Sequence, residues 1–197
     1  MNGLNPRERL GFAEAVTELF RFLETDYGYR QTHADSTSVA YKSRDLEIRL
    51  WHDFRSGEVE LYVAGGRGSQ KWKYHLPEIL RGLAPDYPGK GIYQTMNKDL
   101  LRESLADMAG LIHKYGDGLV RGAREAVRLV EAAHREEARK TTEYYTISPV
   151  KEKADAAWKR REYREVIALY ASIESHLSSL ERQRLDYARR HSAGGRD

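Results

Sequence analysis

The chain has 197 residues, 40% of them hydrophobic and 32% charged, enough to bury a core in one compact domain or two small ones and unlike the composition of a disordered chain. Its 33 basic and 30 acidic side chains leave a formal charge of +3 with the signs mixed along the length, which argues against a dedicated nucleic-acid binder whose cations gather on one face. There is no cysteine, which excludes disulfides, thiolate metal sites and cysteine nucleophiles, and no apolar run approaches the roughly 18 residues of a membrane span.

The first residues carry no hydrophobic signal core, so no removable leader is expected, and a cytoplasmic location is the expectation. Asn5-Pro6-Arg7-Glu8 reads as a helix start: a capping residue, a proline at the first helical position and an acid to complete a capping box. Phe12, Val16, Leu19, Phe20 and Leu23 recur at helical spacing, and Gly28 supplies a stop, so a helix over residues 6–25 is expected.

The period then changes. Val39 and Tyr41, then Leu46, Ile48 and Leu50, then Val59, Leu61 and Val63 alternate with their neighbours as half-buried strands do. The short links 42–45 and 53–57 imply antiparallel hairpins, and residues 29–34 offer a first edge strand. Gly65-Gly66-Arg67-Gly68-Ser69 is expected to end the sheet, with a short helix near 76–83 and a structured loop over 84–97.

Helical spacing returns with Leu101, Leu105, Met108, Ile112 and Tyr115, breaks at Gly116-Asp117-Gly118, and resumes with Leu119, Ala123, Val127 and Val130. Residues 134–140 are too charged to be buried, and 141–148 read as a linker. Ser148-Pro149 should cap a further helix, and Ser178-Ser179-Leu180-Glu181 is a second capping box. The fold class expected is α+β: an N-terminal helix on a small antiparallel meander of three or four strands, then a largely helical C-terminal half. The boundaries are an α+β domain at 1–97, a helical region at 98–191 with a repeat-like hairpin at 149–176, and a frayed tail at 192–197.

No set of residues converges on a reaction. His52-Asp53 stands at a strand end, but adjacent strand residues point to opposite faces. His33 with Asp35 reads as a polar turn, and no metal spacing such as HExxH occurs. The glycine-rich stretches at 65–71 and 88–91 lack the lysine-hydroxyl ending of a phosphate loop. No catalytic residue, metal ligand or cofactor is therefore assigned.

Recognition surfaces are better represented. Trp51 and Tyr62 fall on the strand face opposite Ile48 and Leu61, where the C-terminal helices either cover them, the favoured arrangement, or leave an open patch. Arg67, Lys71 and Lys73 flank Trp72 and Tyr74, a basic patch with interleaved aromatics that can stack bases and follow phosphates. Another protein is the expected partner, nucleic acid is the alternative, and no membrane is implied.

Two resemblances add to this. The run from Ala154 to Tyr170, with Ala157, Trp158 and Tyr163, resembles a tetratricopeptide-type helical hairpin present once, with Arg161 where a small residue is usual. A single unit of that kind needs another surface to bury its apolar face. Residues 12–64, through Tyr27-Gly28-Tyr29, Ser38-Val39-Ala40-Tyr41 and the hairpin from Leu46 to Val63, are similar to immunity proteins of bacterial polymorphic-toxin systems. That similarity implies a small cytoplasmic protein that binds and blocks a toxin.

Overall fold

The computed structural model describes residues 10–192. The described residues form two compact units, the first ending at His134 and the second beginning at Arg135. The first unit is α+β. Helix α1 spans Phe12–Leu19 and α2 spans Phe22–Thr25, so the described part of the expected N-terminal helix is broken at Phe20, which leaves helical geometry at φ −101° and ψ 14°. The proposed cap at Asn5-Pro6 lies outside the described residues. Gly28 turns the chain with φ +68°, a left-handed conformation that costs glycine little, and Tyr29 then bonds back to Leu23 O at 3.0 Å.

Six antiparallel strands follow: β1 Arg30–Ala34, β2 Ser38–Ser43, β3 Leu46–His52, β4 Glu58–Gly65, β5 Trp72–His75 and β6 Tyr93–Gln94. They are ordered β1-β2-β3-β4-β5, and β6 pairs with β4 beyond the end of β5. The alternation of strand side chains sets the layers. Val39, Tyr41, Ile48, Leu50, Leu61 and Val63 are all fully buried or nearly so, on the face that receives the helices. Ile48 opposes Val63 and Leu50 opposes Leu61, which fixes the register.

The sheet is larger than the expected meander. Gly65–Ser69 does not end it: after a 3-10 turn at Gly68–Gln70, the alternating run Trp72-Lys73-Tyr74-His75 adds a strand. Part of the stretch read as a loop adds β6. Helix α3 spans Leu76–Leu83, as its apolar spacing implies, with the Glu78 carboxylate accepting from the His75 N–H at 2.7 Å.

Helix α4 spans Lys98–Tyr115 and is capped by Asn97, whose Oδ1 accepts from the N–H groups of Asp99 and Leu100. Its buried Leu101, Leu105, Met108 and Ile112 share one core with Phe12, Val16, Ile48 and Leu61. The sequence boundary at 97 therefore falls inside the first unit. The break at Gly116 is present: α5 is the short turn Asp117–Val120, and α6 runs Arg124–Thr142. Ala126 and Val130 of α6 join the same core.

In the second unit, residues 141–148 are helical rather than a linker. Nothing between Arg124 and Ile147 is glycine or proline, so no residue interrupts the helix, and a π-helical turn at Glu143–Ile147 absorbs the change of phase. Ser148 consequently sits inside helical geometry and forms no cap. Helices α7 Ser148–Lys159, α8 Tyr163–Ser172 and α9 Ser179–Ser192 enclose Ala154, Ala157, Val166, Tyr170, Leu185 and Ala188. The hairpin of α7 and α8 thus buries its apolar face against α9. The expected box at Ser178 forms in both directions: Ser178 N–H to Glu181 at 2.6 Å, and Glu181 N–H to the Ser178 hydroxyl at 3.3 Å.

Candidate binding groove

The first unit carries an open groove of about 1,460 Å³. One wall is the β2–β3 turn, Ser43 to Leu46, continued by Gly66, Ser69 and Lys71 from the β4–β5 connection and by Trp72 and Tyr74 of β5. The other is Val120 to Gly122 and the first two turns of α6, with Arg124, Val127, Arg128 and Glu131. Tyr27 and Gly28 close one side.

Charge in the groove is unbalanced. Arg44, Lys71, Arg121, Arg124 and Arg128 face two carboxylates, Asp45 and Glu131. Asp45 is engaged on its outer side by Arg67, whose Nε and Nη2 donate to the two carboxylate oxygens at 2.8 Å each. Arg121 donates to Asp117 at 3.1 Å and stacks over the Tyr27 ring at 4.5 Å. The Tyr27 hydroxyl donates to the same Asp117 at 2.8 Å, and this bond, with the Arg121 guanidinium, holds the Asp117 carboxyl below its ordinary value. Arg128 pairs with Glu125 at 3.1 Å. The side chains of Arg44, Lys71 and Arg124 are exposed and form no ion pair or hydrogen bond among the described residues. Arg124 and Arg128 stand in the first turns of α6, where the helix dipole already presents its positive end and further cations are unfavourable.

The basic-aromatic patch read from the sequence is split by strand geometry. Gly65 opposes Trp72 and Val63 opposes Tyr74, so both rings lie on the core face, stacked at 5.6 Å. Tyr74 is buried and Trp72 half-buried, and both reach the groove wall beside Lys71. Lys73 points the other way and sets its ammonium 4.2 Å from the centroid of Tyr62. Arg67 lies outside the groove on Asp45. The structure therefore gathers Lys71, Trp72 and Tyr74 in the groove and leaves Lys73, Tyr62 and Trp51 out of it, although Lys73 shares a smaller adjoining hollow with Lys71 and Trp72.

The opposite sheet face is not covered at Trp51, which is 39% exposed; the covering helices α1 and α4 share their core with the other face. Tyr62 is half-buried there, and its hydroxyl donates to Glu47 at 3.1 Å. His52 is a core residue rather than a rim histidine: it is 1% exposed, stacks on Phe12 and contacts the Thr95 carbonyl through Nε2 at 3.0 Å. Since a carbonyl only accepts, Nε2 carries the proton. His33 and Asp35 pair at 2.9 Å, and Asp35 also accepts from the N–H groups of Thr37 and Ser38, the polar turn expected. Among the described residues, no group of three histidine or carboxylate side chains is placed to hold a metal ion, and no helix is long and apolar enough to cross a membrane.

Sequence reasoning missed Arg44, Arg121, Arg124 and Arg128. The run Arg121-Gly122-Ala123-Arg124, with Arg128 four residues on, is a visible signal of a cationic helix start. Arg44 is visible only as part of a polar turn. Compared with known proteins, the chain matches no family model, no curated protein and no solved structure.

Proposed function

We propose that this chain is a non-enzymatic binding module that grips another protein through the groove of its first unit. The observation that carries this reading is the make-up of the groove: the half-buried apolar side chains Leu46, Trp72 and Val127 line it together with five cations. Its volume of about 1,460 Å³ exceeds the roughly 300–1,000 Å³ typical of small-molecule pockets. No histidine lines it among the described residues, and Asp45 is held by Arg67. An apolar centre with a charged rim is the anatomy of protein recognition surfaces.

A toxin-blocking inhibitor is the specific form of this reading that the N-terminal resemblance implies. The test is affinity purification of the full chain from its native host, side by side with a Lys71→Glu/Arg124→Glu variant. A stoichiometric protein retained by the first and lost by the second supports the reading. Retention untouched by the double substitution, or retention of nucleic acid alone, overturns it.

A further inference from the structure

We infer that the groove accepts an acidic peptide segment carrying an apolar anchor, with Arg44, Lys71 and Arg124 as its recognising cations; this rests on the reading of the chain as a protein-binding module. Three features lead there. First, the groove holds more positive than negative side chains, and these three are exposed with no partner among the described residues. They come from three separate segments: the β2–β3 turn, the β4–β5 connection and the start of α6. An anion between the walls would neutralise cations that the fold itself leaves unbalanced.

Second, the placement of these cations works against local structural preference. Arg44 occupies φ +48° in a two-residue hairpin turn, where glycine or asparagine is the inexpensive choice. Arg124 extends the positive end of a helix dipole. Neither position is improved by arginine on backbone grounds.

Third, the walls fit a peptide better than a nucleic acid strand. The rings of Trp72 and Tyr74 stack on each other, and Tyr74 is buried, so Trp72 has given one face to its neighbour and the pair forms no open platform for successive bases. Asp45 and Glu131 stand among the cations and would repel a continuous line of phosphates, whereas a peptide can place carboxylates at intervals and an apolar side chain between them.

The experiment uses the full chain and a fluorescent synthetic peptide of glutamates around one tryptophan, with an otherwise identical glutamine peptide and a single-stranded oligothymidylate as comparisons. Polarisation should show saturable binding of the glutamate peptide, weakened as salt is raised, and little of the glutamine peptide. Lys71→Glu and Arg124→Glu should each weaken it about tenfold or more. Arg44→Gly should weaken it while the thermal midpoint does not fall, which separates loss of recognition from loss of fold. Equal binding of both peptides, tighter binding of the oligonucleotide, or indifference to all three substitutions overturns the inference. Failure here with a host protein still captured in a groove-dependent way would refute the acidic-peptide chemistry alone. Failure of both experiments would refute the module reading.

Discussion

Trp72 and Lys73 are neighbours in sequence and occupy opposite faces of the sheet. The indole lies on the core side across from Gly65 and stacks on Tyr74, while the ammonium sits 4.2 Å from the Tyr62 ring on the other side. Charge reversal at Lys73 should therefore leave peptide binding in the groove unchanged, whereas reversal at Lys71 should abolish most of it. Titrations of both variants under one salt condition check this, and equal losses would place the binding surface elsewhere.

Gly65 faces Trp72 at close range. A methyl group added there would lie 2.6 Å from the indole and 2.7 Å from Leu46 Cδ2. Gly65→Ala should cost about 1–3 kcal/mol, the usual penalty of overpacking. In the background of Trp72→Ala the same change should cost measurably less, because the main obstacle is gone. Chemical denaturation of the four combinations gives the coupling directly.

Arg161 ends α7 in the left-handed region at φ +62°, and the Glu162 N–H returns to the Ala157 carbonyl at 3.0 Å. Glycine is favoured at such a position. Arg161→Gly should leave stability unchanged or raise it by up to about 1 kcal/mol. A fall of that size in a denaturation midpoint would mean the arginine side chain contributes to packing.

Asp35 closes the β1–β2 turn. Burial raises its carboxyl pKa, but bonds from the Thr37 N–H, the Thr37 hydroxyl, the His33 ring and the Ser38 N–H outweigh that and hold it below the ordinary value. The stabilisation is present above the ordinary carboxylate range, where the unfolded chain is also ionised, and is lost as pH falls through the lowered folded value. Asp35→Asn should be less stable than the parent at neutral pH, and the gap should close in acid. A gap that stays constant with pH would contradict it.

Much of this fold was legible. The period-two runs around Ile48 and Leu61 and the period of Leu101, Leu105 and Met108 are long enough for burial to impose one reading. Strand β5 was hidden because four residues that include a lysine and a histidine look like a surface patch until a partner strand sorts them by face. Residues 141–148 looked like a linker on polarity alone, although no glycine or proline was there to end the helix. The groove was half visible: Lys71, Trp72 and Tyr74 stood together in the sequence, but Arg44 and Arg124 join them only through the packing of α6 near the β2–β3 turn.

The most direct test of the central claim is amide chemical-shift mapping of the isotope-labelled chain as the glutamate-tryptophan peptide is added. The account predicts the largest shifts at Arg44, Gly66, Lys71, Gly122 and Arg124. Shifts concentrated at Trp51 and Tyr62, or within residues 148–192, would contradict it.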